Sequence, residues 1–122
     1  MTPEQVAHFR LLKVLEQRPE YSQRDLAEAT GLSLGRTNYV LHALMEKGFL
    51  KIGRFLMADN KLTKTAYFLT PAGLLHRMEL THGYIARKKT EYEALKAELE
   101  SLRLEAPEAF EETQLDTIKK NI

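Results

Sequence analysis

The side chains between Ser33 and His42 are the set in this chain best suited to recognising another molecule by hydrogen bonding. Arg36 carries a planar guanidinium that can pair with guanine through two parallel bonds, and Asn38 carries a carboxamide that can pair with adenine. Tyr39 can contact a phosphate or the methyl group of thymine. The candidate DNA contacts in this segment are Ser33, Gly35, Arg36, Asn38, Tyr39 and His42.

These candidates share one surface if residues 33–47 form a helix. Ser33 is a favourable N-cap whose neighbouring free amides also suit a phosphate, and Gly48 can end the helix. Gly35 is about 1 kcal/mol less favourable than alanine in a helix, so its presence in the first turn needs a reason, and it would allow close approach to DNA. An apolar stripe at helical spacing would face inward: Thr37, Val40, Leu41 and Leu44. The alternative is a polar helix face that is only solvated.

The preceding segment supplies the rest of a helix-turn-helix. Ser22 and Asp25 form a capping arrangement for a short helix over 23–30, with Leu26, Ala27 and Ala29 as its apolar face. Gly31 then provides a tight turn. In this motif the first helix braces the second, which enters the major groove with its N-terminus first. We therefore predict that residues 33–47 are a recognition helix.

Residues 49–70 change from helical to alternating periodicity, which predicts a β-hairpin returning over 65–69. The alternation shifts register at Gly53, as it would at a one-residue bulge. A hairpin directly after a recognition helix is typical of a wing, here 56–65, which lies on the DNA backbone or in the minor groove. Its basic candidate contacts are Arg54, Lys61 and Lys64.

Two further helices complete the predicted organisation. One begins at Thr2-Pro3 and ends near Arg18, and a long one begins at Thr70-Pro71 and ends near Leu104, before Pro107. The long helix would span about 50 Å, more than the side of so small a domain, so part of it must project. We predict a winged domain over 1–75, a long helix over 71–105 and an acidic tail over 106–122. Phe110, Leu115 and Ile118 allow a short docked helix in that tail, although a frayed end is the simpler expectation.

The projecting part of the long helix carries a heptad pattern over 78–104. Its g and e positions match acidic with basic side chains only if two such helices run parallel. Glu91 would face Lys96, and Glu98 would face Arg103. This predicts a homodimer through a parallel coiled coil; the alternative is one solvated helix folded back on its own domain. The dimer seam would contain Ile85, Tyr92, Leu95, Leu99 and Leu102, with Lys88 as a polar exception.

Composition excludes several classes of protein. The 122 residues contain no cysteine, which excludes disulfides and cysteine-based zinc sites. No apolar run is long enough for a membrane span or a signal peptide, so we expect a cytosolic protein. Residues 1–70 hold 10 basic and 7 acidic side chains (+3), 71–90 hold 4 and 1 (+3), and 91–122 hold 4 and 9 (−5). A basic body with an acidic tail suits contact with a polyanion at one end.

The sequence offers little for catalysis or metal binding. His76, Glu79 and His82 are spaced by three residues, so they drift around a helix, and no further ligand joins them. No nucleophile elbow, P-loop or dinucleotide-binding glycine motif is present. We therefore expect neither an enzyme nor a bound cofactor or metal, and the sequence indicates no effector site.

Several stretches resemble a known family. The run SQRDLAEATGLSLGRTNYVLHALMEKGFLKI, together with LTPAG at 69–73, resembles winged helices of the MarR type. More narrowly, SLGRTNYVLHALMEKG and KKTEYEALKAELESLR resemble the short MarR-like regulators associated with exopolysaccharide gene clusters. The resemblance covers roughly residues 5–105. It implies a mainly α-helical fold with a small β-hairpin, and a homodimeric transcriptional regulator that binds operator DNA with the α-helical and hairpin residues named above.

One feature separates this chain from larger MarR proteins, and one rival function stays open. The larger proteins place an extra dimerisation helix before the winged domain, whereas the first helix here already belongs to it. Winged helices also serve as protein-interaction modules, because a fold alone does not assign a function. The rival is therefore an adaptor that pairs through its long helix without binding DNA.

Overall fold

The computed structural model describes residues 1–56 and 62–110. Their order is α1 (Pro3–Gln17), α2 (Gln23–Thr30), α3 (Leu34–Glu46), β1 (Leu50–Leu56), β2 (Thr63–Leu69) and α4 (Pro71–Glu105). The predicted fold class, mainly helical with an antiparallel hairpin and a long C-terminal helix, is confirmed. The chain divides into two compact units, Met1–Ile85 and a second that begins at Ala86, so α4 contributes to both.

Reciprocal caps set where the first two helices begin. The Thr2 hydroxyl accepts a hydrogen bond from the Gln5 amide (3.1 Å), and the Gln5 side chain accepts one from the Thr2 amide (2.8 Å). Ser22 and Asp25 form the same pair at the start of α2, both bonds measuring 3.1 Å. Each cap satisfies amides that the helix itself cannot, a contribution of about 0.5–2 kcal/mol.

The core of the first unit forms where α1, α2, α3, β1 and α4 meet. The inner stripe predicted for α3 is confirmed, since all four of its residues are buried. The expectation for α2 is wrong at Ala29, which is exposed, because Leu26, Ala27 and Thr30 share a helix face that Ala29 does not. Thr30 is buried instead, and its hydroxyl donates to the Leu26 carbonyl at 2.6 Å.

The hairpin is regular, so the predicted bulge at Gly53 is wrong. The strands pair without interruption from Leu50 opposite Leu69 to Leu56 opposite Thr63. Gly53 instead makes room for a ring, because a Cβ at this position would lie 2.8 Å from the Cε2 atom of Phe68. The shift in apolar period has another cause: Leu50 is buried, but Ile52 (61% exposed) and Leu56 (62% exposed) lie beyond the core.

The start of α4 is fixed to the segment that follows α3. The Thr70 hydroxyl donates to the Gly48 carbonyl (2.6 Å) and accepts from the Gly73 amide (3.0 Å), while the Thr70 amide donates to the Phe49 carbonyl (3.1 Å). Gly73 is buried, and a Cβ there would overlap the Phe49 carbonyl oxygen. The LTPAG motif therefore supplies a cap and a close backbone contact.

Replacing Gly73 with alanine is expected to lower the free energy of unfolding by about 1–3 kcal/mol, because the added methyl group forces two backbone segments apart. Gly35→Ala is the matched control. A Cβ at Gly35 meets nothing within 4 Å, so this change should stabilise the helix by about 0.5–1 kcal/mol. Urea unfolding of both variants measures the difference, and equal stabilities would contradict the close contact.

Two histidines are packed inside the first unit. His8 is 4% exposed, and its ring lies 5.8 Å from that of His76, which stacks on Phe49 at 4.2 Å. Burial lowers the pKa of His8, and the positive charge of Lys47 lowers it further. Burial also lowers the pKa of His76. Both rings are therefore neutral packing groups at neutral pH.

The described residues contain neither a cluster of potential metal ligands nor a membrane-spanning helix. Within 1–56 and 62–110, no three or more histidine, cysteine or acidic side chains are grouped as metal ligands. Among the helices in this same part of the chain, none has the length and apolar character needed to cross a membrane.

Candidate nucleic-acid interface

The outer face of α3 carries the candidate side chains on one arc. Positions 35, 36, 38, 39 and 42 fall within about 160° of each other at 100° per residue. Gly35, Arg36 and His42 are exposed, Tyr39 is 63% exposed and Asn38 is half-buried. The opposite face is closed by the buried stripe, so only this arc is open to a partner.

The N-terminus of α3 adds an electrostatic feature to that arc. The exposed Ser33 caps the helix, and its hydroxyl accepts from the Arg36 amide at 3.1 Å. The first amides of a helix lack intrahelical acceptors and carry a partial positive charge, which favours a phosphate. Ser33 is therefore placed at the end of α3 that can receive an anion.

Gly35 has no internal role in the first unit. It lies in the first turn of α3, its φ is not positive, and open space surrounds the position of a Cβ. Neither backbone conformation nor packing within the described structure requires glycine here. The helix therefore carries a residue that costs about 1 kcal/mol relative to alanine without an intramolecular benefit.

Arg36 is presented on the surface without an acidic partner. Its guanidinium carbon lies 5.9 Å from the centre of the Tyr39 ring, which is cation–π distance. No described acidic side chain forms a salt bridge with it. Its charge and its paired N–H donors are thus available to an external acceptor.

Asn38 differs from the other described candidates on α3 because its side chain forms a hydrogen bond with a side chain of another helix. Its Nδ2 atom donates to Oε1 of Gln23 at 2.9 Å, and both residues are half-buried. Gln23 was not among the residues singled out from the sequence. The sequence gives little indication of this hydrogen bond, because the bond joins two helices across a turn and no periodicity relates residues 15 positions apart.

The hairpin does not bring the two described basic candidates, Arg54 and Lys64, together. Arg54 lies opposite Thr65, and Lys64 lies opposite Phe55. Because paired residues share a face and neighbours alternate, Arg54 and Lys64 are on opposite faces of the hairpin. Arg54 is exposed, whereas Lys64 is half-buried. Lys61, the third predicted wing contact, lies outside the described residues.

Lys64 faces acidic groups of the helix-turn-helix. The pKa of Asp25 is lowered, first by its hydrogen bonds with Ser22 and also by the charges of Lys64 and Arg18. A backbone hydrogen bond from the Tyr67 amide to the Pro19 carbonyl (3.0 Å) holds the hairpin against the segment that precedes α2.

The second unit carries an apolar stripe along α4. Tyr92, Leu95, Leu99 and Leu102 are between 44% and 62% exposed, and Ile85, at the end of the first unit, is 46% exposed. A groove of about 450 Å³ runs along this face, between α4 and residues 107–110. Its lining combines Tyr92, Leu95 and Leu99 of the stripe with Lys96, Glu100, Arg103, Pro107 and Phe110.

Glu91 is already paired within its own helix. It accepts hydrogen bonds from Arg87 (2.9 Å) and Lys88 (3.2 Å), and these bonds lower its pKa. A bond to Lys96 of a second chain would replace them, so such a bond would select an orientation and add little affinity.

Comparison with known proteins agrees with this geometry. A family model described as a winged helix-turn-helix DNA-binding domain matches residues 7–51, which contain all of α2 and α3. None of the curated proteins compared with the sequence matches it.

Several solved structures share the fold. A complex of S. aureus MepR with DNA is 22% identical, with 84% of this chain and 76% of that chain covered and a TM-score of 0.56. PcaV from Streptomyces coelicolor, in complex with its natural ligand, is 26% identical (77% and 62% covered, TM-score 0.54). The adhesin competence repressor AdcR from Streptococcus pyogenes is 20% identical (79% and 66% covered, TM-score 0.56). These three proteins are MarR-family regulators.

Proposed function

We propose that this chain, which carries a winged helix-turn-helix DNA-binding domain and shares its fold with MarR-family regulators, is a homodimeric transcriptional regulator that binds specific DNA sequences. The observation that supports this most is the outer face of α3. It presents an arginine that forms no salt bridge with a described acidic side chain, beside a glycine that the described structure does not require. Both features are expected of a helix that lies against DNA.

In this proposal α3, within the recognition segment 33–47, enters the major groove. Arg36 pairs with guanine and Asn38 with adenine, while Tyr39 and His42 contact phosphates or base edges. Ser33 and the first amides of α3 hold a backbone phosphate, and Gly35 lets the helix approach closely. The hairpin, including Arg54, follows the adjacent backbone or minor groove. MepR has been solved in complex with DNA, which supports this use of the fold.

The exposed stripe on α4 supports a dimer through that helix. Four large apolar or aromatic side chains of the second unit recur at heptad spacing, and each contributes about 1.5–3 kcal/mol if fully buried. A parallel pair would hold two winged domains at one end. Two recognition helices could then read half-sites about one helical turn apart, roughly 34 Å.

The target genes are a separate part of the proposal. The likeness of the recognition helix and the α4 sequence to short regulators associated with exopolysaccharide clusters leads us to propose control of polysaccharide biosynthesis genes, in the cytoplasm. Locating the selected DNA sequence upstream of such genes tests this part. A binding site found only elsewhere would contradict it and leave the DNA-binding proposal intact.

Selection of binding sites from a random duplex pool tests the DNA-binding proposal directly. Arg36→Ala is expected to cost about 1–3 kcal/mol on the selected sequence and little on random DNA, because the lost contacts are to bases. Arg54→Ala removes the same charge from the hairpin and should weaken both duplexes alike. Fluorescence anisotropy with labelled duplexes measures both variants.

Two outcomes of these experiments would contradict the proposal or part of it. Identical behaviour of Arg36→Ala and Arg54→Ala on both duplexes would contradict the separation of base and phosphate contacts. No enrichment of any sequence, with no retention on DNA at low salt, would favour the adaptor. In that case the stripe on α4 would be the functional surface.

A further inference from the structure

Gln23 makes the only described side-chain hydrogen bond from α2 to the outer face of α3. It is the first residue of α2, and its backbone is fixed by the Ser22–Asp25 cap around it. Its Oε1 atom accepts from Nδ2 of Asn38 at 2.9 Å, and both side chains are half-buried. Asn38 is therefore held before any partner arrives.

We propose that Gln23 is a positioning residue for base recognition, because its hydrogen bond restrains the Asn38 carboxamide and opposes rotation of that group alone. This inference rests on the proposed function. A carboxamide has two N–H donors and one carbonyl acceptor. The bond to Gln23 uses one donor, which leaves one N–H and the carbonyl oxygen. Adenine needs that combination, because its major-groove edge offers one acceptor, N7, and one donor, the N6 amino group.

The hydrogen bond restrains Asn38 because the Asn38 nitrogen is the donor and the Gln23 oxygen is the acceptor. The last torsion of asparagine is broad and nearly two-fold, so a free carboxamide exchanges its nitrogen and oxygen by rotation. Only the nitrogen can donate to the Oε1 atom of Gln23, so rotation of the Asn38 carboxamide alone would break the bond. The rotated form, which would present a different donor and acceptor pattern to a base, requires the Gln23 carboxamide to rotate as well. The bond also reduces the side-chain entropy that binding would otherwise cost.

Two substitutions at position 23 separate positioning from simple bracing. Gln23→Met keeps the length of the side chain and removes the acceptor. Gln23→Glu keeps an acceptor for Asn38 and adds a negative charge. The measurement is the affinity of full-length protein for a panel of duplexes, in which each base pair of the selected site is changed in turn. Asn38→Ala identifies the base pair that Asn38 reads, where it should lower discrimination about 5- to 100-fold.

Gln23→Met is expected to lower discrimination at that same base pair about 5-fold or more and to leave the other positions unchanged. Gln23→Glu should bind every duplex more weakly but keep the preference at that position. The double variant Gln23→Met, Asn38→Ala should discriminate no worse there than Asn38→Ala alone.

Other outcomes overturn the inference. Equal weakening of all duplexes by Gln23→Met, together with a lower melting temperature, would show that Gln23 is only a brace between helices. Loss of discrimination in Gln23→Glu equal to that in Gln23→Met would show that the acceptor is not what matters. An unchanged preference in Gln23→Met would show that Asn38 needs no support. Wild-type protein that prefers no base pair anywhere would overturn the proposed function as well, so the two failures are distinguishable.

Discussion

Replacing Leu95 and Leu99 together by glutamate is expected to convert the protein from a dimer to a folded monomer and to weaken binding to the selected DNA site by at least about 100-fold. Both residues lie on the exposed stripe of α4, at 55% and 46% exposure. Each substitution removes about 1.5–3 kcal/mol of stabilisation from apolar burial per chain. Because the dimer is two-fold symmetric, it loses the contributions of both leucines twice. The four added carboxylates would also be desolvated at the seam, which costs more again.

The loss of DNA affinity follows from the loss of the second recognition helix. A dimer bound at two half-sites gains from the second contact as an intramolecular event, and a monomer does not. Ala94→Glu with Ala97→Glu is the matched control, since it adds the same charge at heptad positions away from the seam. Sedimentation equilibrium of both variants at tens of micromolar measures their masses. Wild-type protein that is already monomeric there would contradict the proposed dimer.

Disulfide formation between introduced cysteines tests whether the two α4 helices of the proposed dimer run parallel. In a parallel coiled coil the d positions of the two chains meet, so cysteines introduced at Leu102 should form a disulfide under mild oxidation. The chain has no native cysteine, so this bond can be assigned without ambiguity. An antiparallel pair would separate the two positions and leave the thiols free.

Local signals predicted most of the fold because they act within a few residues. The Ser22–Asp25 cap, the left-handed Gly31 and Gly48, and the buried stripe of α3 depend on side chains no more than one or two turns apart. The helix boundaries follow from them: α2 occupies the predicted residues, and α3 and α4 end within one residue of the positions expected.

Contacts between distant segments were not predictable in the same way. The glycine of LTPAG was recognised as part of a motif, but its reason is the Phe49 carbonyl, 24 positions earlier in the chain. Gly53 looked like a bulge because the alternation shifts there, whereas the ring of Phe68 on the paired strand explains it. A single sequence contains both partners of each contact but not their pairing.

In the candidate site, too, local patterns were predictable from the sequence and contacts between distant segments were not. The exposed arc of α3 followed from helical periodicity, and the structure places its residues on one surface. The bond between Gln23 and Asn38 depends on the angle between two helices, which no local pattern specifies. Arg54 and Lys64 looked equivalent in sequence, and only the register of the strands assigns them to opposite faces.

Raising the salt concentration from about 50 to about 200 mM is expected to weaken DNA binding by about 10²- to 10⁵-fold. Each phosphate neutralised contributes about −0.9 to the slope of log K against log salt. Phosphate contacts from the α3 amides and the hairpin, doubled in a dimer, predict a slope of roughly −4 to −8. Anisotropy titrations at four or more salt concentrations give the slope.

Two variants make this slope diagnostic. Arg54→Ala should make it shallower by about 2 for the dimer, one phosphate contact from each chain. The monomeric Leu95→Glu, Leu99→Glu variant should retain about half of the wild-type slope, because one winged domain still meets the backbone. An affinity that does not change with salt, which is a slope of zero, would contradict the DNA-binding proposal. A full slope in the monomeric variant would show instead that one domain makes all of the phosphate contacts, so that the second serves only to extend the site.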